Sequence, residues 1–339
     1  MVWSAGLRPL FKLSFLRVWM ALIGVSLLGC VADKPVRKSE LAVQGLYAAA
    51  LSQNGEAVVL GSIQHGGSYW TLGTQFERRF NWDHQKDQEK RGHSALTVVA
   101  LSRDNRFALT ADERRFVVWS TQTGESIGFW QVDGKITGAA LSDGGAFALV
   151  GLDNFEALYV DVKQGGFVHK LIHAAAIQDV AISADGGLGV TATEAGLVQV
   201  WVLKAAKSIR QWEHDGPVNC IAIDAKGEHV FTFGSSVGGQ IWDARKNERL
   251  LEIPLSNGSV TAARFHDHKP HLLLGTSARE TALWNWSTKK QLQRWIAPKK
   301  SLWKPEGIRL YDVAFTRSEK HVLSVASNGA LYVWDVATP

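Results

Sequence analysis

Residues 177–201, IQDVAISADGGLGVTATEAGLVQVW, hold three short apolar runs, IQDVAIS, VTAT and VQVW, set apart by small and charged residues. Runs of this length, alternating apolar with polar and bounded by turn formers, are half-buried strands. The segment is one copy of something that returns along the whole chain. Its closing tryptophan has counterparts at Trp70, Trp119, Trp242, Trp284 and Trp334, with Val160 in the one vacant place. The steps between the seven marks are 49, 41, 41, 41, 42 and 50 residues, a fixed period that marks a repeat architecture.

A second ruler precedes the first. LYAAALS (46–52), LTVVALS (96–102), ITGAALS (136–142), VNCIAID (218–224), VTAARFH (260–266) and LYDVAFT (310–316) match IQDVAIS in pattern. A further aromatic follows each mark by 11 or 12 residues at Trp82, Trp130, Trp212 and Trp295, with Leu171 and Ile253 in the equivalent places, so each repeat has a fourth strand. A four-stranded sheet cannot bury both faces alone, and such units stack radially into a closed ring. Seven repeats give seven blades. The last repeat stops just after Trp334, and ELAVQ (Glu40 to Gln44) at the other end is expected to supply its missing outer strand.

Trp242-Asp243, Trp334-Asp335 and Gly92-His93, set in a four-stranded repeat, resemble the WD40 propeller family. The resemblance covers about residues 40 to 339 and implies a seven-bladed all-β propeller closed by an N-terminal strand. The chain departs from the family where an aspartate usually stands six residues before the tryptophan. Glu113, Asn154, Ala195, Ser236, Ala278 and Asn328 occupy those places. His93, His173 and His214 fall at the family's histidine place, with the partner absent or shifted to Asp112, Asp153 or Glu194. The 14 tryptophans are expected to compensate by aromatic packing.

The N-terminus carries a different message. Arg8, Lys12 and Arg17 precede an apolar run from Val18 to Gly29, too short to span a bilayer comfortably and ending in Leu27-Leu28-Gly29-Cys30. The segment resembles a bacterial lipoprotein signal, and an uncleaved signal anchor is the alternative. The resemblance implies a signal peptide at 1–29, lipidation of Cys30, a tether at 30–39 and the propeller at 40–339. Val31 is not the aspartate that resembles an inner-membrane retention signal, so outer-membrane attachment facing the periplasm is expected. Lys34, Arg37 and Lys38 in the tether are expected to lie near acidic headgroups.

Composition narrows the function. Without residues 1–29 the 37 Lys and Arg fall by three, leaving 34 against 32 Asp and Glu, a balance that gives nucleic-acid binding no support. Besides Cys30 only Cys220 is present, and it reads as a buried packing residue rather than a reactive thiol. His266, His268 and His271 (HDHKPH) have metal-like spacing but occupy a turn without a completing ligand set, so no metal and no cofactor is expected. Gly165-Gly166 and Gly238-Gly239 read as hairpin turns. Asp179 and Asp312, the recurrent acids of the inner strands, are expected to satisfy local turns.

The two long steps come from insertions between one blade's outer strand and the next blade's inner strand. Residues 83–95 (DHQKDQEKRGHSA) are highly charged, and residues 296–309 (IAPKKSLWKPEGIR) set Leu302 and Trp303 among Lys299, Lys300 and Lys304. Long loops on a rigid scaffold are where function concentrates, and an apolar pair framed by lysines has the character of an interface anchor. Two function classes follow. The first is a lipid-anchored, non-enzymatic scaffold that docks an envelope protein through Lys299, Lys300, Leu302, Trp303 and Lys304. The rival is an enzyme or small-ligand binder that uses the central channel.

Overall fold

The computed structural model describes residues 34–43, 45–62, 65–84, 94–236, 238–254, 258–299 and 307–337. Their strands form seven four-stranded antiparallel sheets. In blade four the strands are Ile177–Ile182, Leu188–Thr193, Leu197–Val202 and Lys207–Glu213, paired in sequence order from the inside outward. The inner strand of every blade contacts that of the next, and the inner strand of blade seven returns to that of blade one. Seven blades therefore close into one ring around a channel.

Packing follows the alternation seen in the sequence. Each interface between blades has its own apolar cluster; Phe116 and Trp130 of blade two, for example, pack with Ile136, Leu152, Leu158 and Val160 of blade three. The outer-strand aromatics Trp82, Trp130, Trp212 and Trp295 are all buried, as are Leu171 and Ile253 in the equivalent places. A bulge recurs between the third and fourth strands of blades one to six, at Trp70, Trp119, Val160, Trp201, Trp242 and Trp284. It inserts one residue opposite each mark and turns the indole toward a neighbouring blade. A second bulge precedes Gly138, Asp179, Cys220, Ala262 and Asp312 in the inner strands of blades three to seven.

The ring closes with the N-terminal strand three residues earlier than the expected Glu40 to Gln44. Arg37–Glu40 pairs with Ala330–Asp335, Arg37 opposite Val333 and Glu40 opposite Ala330. The segment ELAVQ lies just ahead of the first repeat, but its Leu41, with Leu46, fills the core between blades seven and one beneath a connection. An outermost strand needs little apolarity, and here Arg37 covers the Phe76 ring at 3.7 Å. Gly329 sits at φ +79 where the connection crosses, and a Cβ would stand 2.2 Å from the Ala42 carbonyl oxygen.

Strand order defines two faces. Connections between second and third strands share one face, called upper, with the connections that lead from blade to blade. Turns between first and second strands, and between third and fourth, occupy the lower face. Both insertions therefore leave the upper face. The chain enters the ring at the lower face, where Val36 donates its N–H to the Val333 carbonyl at 2.9 Å.

Candidate functional site

The polar skeleton separates the blades that carry a second-strand hydroxyl from those that do not. The indole N–H of Trp119, Trp201, Trp242 and Trp334 donates to Thr110, Thr191, Thr232 and Ser324 on the second strand at 2.8, 3.0, 3.0 and 2.9 Å. A histidine joins the hydroxyl in two blades, His84 to Thr110 and His173 to Thr191, both at 2.8 Å. His84 is thus the histidine that meets the hydroxyl of blade two; its other ring nitrogen lies 3.5 Å from Asp112, and Arg115 lies against the same carboxylate. The sequence reading fixed on the Gly-His dipeptide, and Gly92-His93 lies outside the described residues. Asp112 does take the shifted partner's place, and its hydrogen bonds hold its pKa well below the usual range. Asp153 instead accepts from the Lys135 backbone N–H at 2.7 Å. His214 is buried, and both of its ring nitrogens are without a hydrogen-bond partner among the described residues.

Blades one, three and six lack the hydroxyl, because Leu60, Val150 and Leu274 occupy the place of Thr110; of these, blades one and six carry the tryptophan. Trp70 of blade one donates instead to Ser68 at 3.0 Å, on its own strand. A pocket of 670 Å³ opens beside it on the upper side of the closure, lined chiefly by Leu41, Leu46, Leu60, Trp70 and Arg78. The Arg78 guanidinium lies 5.8 Å from the centre of the indole, and no ion pair joins it among the described residues. Val43 stands at the rim with 95 % of its surface exposed. An apolar concavity with one unpaired cation is the common form of a binding site.

The ends of both insertions lie on the same face as this pocket. The ends of the second are fixed: Ala297 and Ile308 are buried in the core between blades six and seven, whereas Lys299 is exposed. Lys300, Leu302, Trp303 and Lys304 lie outside the described residues, as does Cys30. The first insertion is held at its base, where the Ser94 N–H donates to Asp83 at 3.1 Å.

The channel wall differs from expectation. Asp179 and Asp312 join blades rather than satisfying local turns. Each caps the N–H of its following residue, at 2.9 Å for Val180 and 2.8 Å for Val313. The second oxygen accepts from the next blade's inner strand, Ile221 at 2.9 Å and Leu51 at 2.7 Å. The inner-strand bulges aim them there, a device that alternation alone does not reveal. At the lower mouth Arg103 of blade two pairs with Asp267 of blade six, which also accepts from Gln53 of blade one at 3.1 Å. This bridge crosses between blades that are not neighbours and narrows the channel.

The histidine turn is internally satisfied. His266 Nδ1 accepts from the N–H groups of His268 and Lys269 at 3.0 and 3.1 Å, and Nε2 lies 3.2 Å from Glu319. Asp224, Glu228 and His229 come together as possible metal ligands, a grouping the sequence reading missed. His229 Nδ1 already bonds Asp224 at 2.7 Å and Arg245 pairs with Glu228 at 2.8 Å, so these atoms are engaged within the turn. Cys220 is buried in the blade-five core, and burial pushes its thiol pKa well up, which makes it inert.

No family model matches the chain. It is similar to transducin beta-like protein 3 of Mus musculus, 29% identical over 38% of this chain and 16% of that protein. It is also similar to WD repeat-containing protein 90 of Xenopus tropicalis, 26% identical over 36% of this chain and 6% of that one. Telomerase protein component 1 of Rattus norvegicus is 24% identical over 70% of this chain and 9% of its own length. The chain thus spans a small part of the curated relatives it matches. The seven-bladed ring and these WD-repeat relatives make the chain a WD40-repeat β-propeller.

Proposed function

We propose that the protein is a lipid-anchored periplasmic scaffold that docks an envelope protein on the upper face of its ring, beside the closure of blades seven and one. The observation that carries the reading is the coincidence on that face of both insertions with the pocket of Trp70 and the unpaired Arg78. The chain enters the ring at the opposite face, where Val36 meets Val333. Residues 31–36 reach at most roughly 20 Å, which keeps the ring close to its bilayer. Attachment through more than one acyl chain gives the stable anchoring a single chain does not. The partner is expected to offer an apolar side chain to the pocket and an acidic group to Arg78, with Leu302 and Trp303 as further anchors and Lys299, Lys300 and Lys304 at the rim.

The test is in two parts. Intact mass of the membrane-extracted protein is expected to show a first residue Cys30 carrying acyl groups; an unacylated N-terminus, or one cut elsewhere, ends the anchoring reading. Chemical cross-linking is expected to capture one stoichiometric envelope partner, with recovery reduced at least tenfold, or about 1.4 kcal/mol, by Leu302→Ala with Trp303→Ala at unchanged melting temperature. A loss of stability with the complex intact would place those side chains in the core instead.

A further inference from the structure

The channel is lined by two carboxylates in the same structural place, and only one has a cation. Asp312 of blade seven receives Arg264 of blade six at 2.6 Å. That guanidinium also donates to the carbonyls of Val313 and Leu51 at 2.6 and 3.0 Å and to Gln53 at 3.1 Å, so its donors are well spent. Three blades away the arrangement repeats without it. Asp179 of blade four bonds the N–H groups of Val180 and Ile221, but the place of Arg264 is taken by Ala140 in blade three. No cationic side chain pairs with Asp179 among the described residues.

Three further observations sit around this gap. Thr137 Oγ1 is buried without a partner among the described residues, whereas its counterpart Thr261 donates to the Leu310 carbonyl at 2.6 Å. Gly138 leaves open the space beside Asp179, where a Cβ would already stand 3.4 Å from the carboxylate oxygen. Asp179 and Ala140 line the same channel cavity of 270 Å³.

We propose that the channel beside Asp179 and Ala140 binds a guanidinium or primary ammonium group, which completes in trans the pairing that Arg264 makes in cis with Asp312. The lower mouth is crossed by Arg103, Asp267 and Gln53, and Asp179 lies near the upper end of its strand, so the cation enters from the upper face. Such a group supplies donors to the Asp179 carboxylate and to the inner-edge carbonyls of these strands, which no neighbouring strand engages. Burial pushes the Asp179 carboxyl up to about 7, and burial raises Asp312 as well even with Arg264 beside it. The site stands independently of the lipid anchor.

The cation can belong to a free small molecule or to a partner's side chain, and two probes separate these sources. Calorimetry on the full chain in detergent is run with agmatine and with an uncharged-capped hexapeptide bearing one arginine. Agmatine binding that falls at least tenfold in Asp179→Ala assigns a free ligand; binding of the peptide alone, with the same loss, assigns a partner's arginine. Ala140→Arg is expected to abolish binding of either probe and to raise the melting temperature by a few degrees, because it supplies the missing guanidinium from within. Should Asp179→Ala fail to fold, Ala140→Arg still decides. No saturable heat from either probe up to about 10 mM, or binding indifferent to both substitutions, overturns the proposal.

Discussion

Thr191 shows how much rests on single hydroxyls in this ring. It meets His173 and the Trp201 indole together, inside blade four, with no exposed surface of its own. Thr191→Ala strands two buried polar groups, and urea unfolding is expected to show a loss of about 2–4 kcal/mol. Thr191→Ser, which keeps the hydroxyl, is expected to recover most of it. The buried histidines add a dependence on pH. Burial lowers the pKa of both His173 and His214, so the unfolded chain takes up their protons first. Their contribution is present above about pH 6.5 and is lost as pH falls below it. Asp179 acts with the opposite sign, since its raised pKa costs stability as pH rises from about 4 through 7. The difference between wild type and a His173→Gln, His214→Gln variant cancels the aspartate and is expected to shrink as the pH drops from about 7.5 to 5.5. A constant difference would mean that the rings are solvated. At this scale the sequence was readable at the tryptophans, whose spacing is rigid, and unreadable at His84, whose partner Thr110 lies 26 residues away on another strand.

The closing strand is the element on which the ring depends. Arg37–Glu40 covers the free edge of the Ala330–Asp335 strand, and without it a row of N–H and C=O groups is exposed. Deleting Arg37 to Glu40 is expected to lower the melting temperature by several degrees and to promote association between molecules through that edge. Light scattering that shows a monomer of unchanged melting temperature would contradict this. The existence of a closing strand followed from counting strands in the last repeat. Its register did not, because an outermost strand is half solvated and RKSE has the polar look of a tether. The bulges were illegible for a similar reason: one extra residue leaves the alternation intact on both sides and shows only as a spacing of 11 rather than 10 between Trp201 and Trp212.

At the scale of the whole molecule, repetition made the architecture legible and concealed the site. Blades that differ little fix the ring, and what is particular to this chain lies where one repeat departs from the rest: Arg264 where every other inner strand carries alanine, Asp179 and Asp312 in the inner strands of blades four and seven, two long connections among short ones. A pocket formed by the fourth strand of blade one and the connection from blade seven joins residues from Leu41 to Asn81 across the closure, and no linear pattern announces it. The most direct measurement of the central claim, that the upper face is the partner-binding face, is photo-cross-linking in intact membranes. A benzophenone side chain is placed at Val43, on the rim of the pocket, and separately at Lys163, exposed in a lower-face turn. The expected result is a single discrete protein adduct from position 43 and none from position 163. An adduct from position 163 with none from position 43 would contradict the account and move the binding surface to the face where the chain enters.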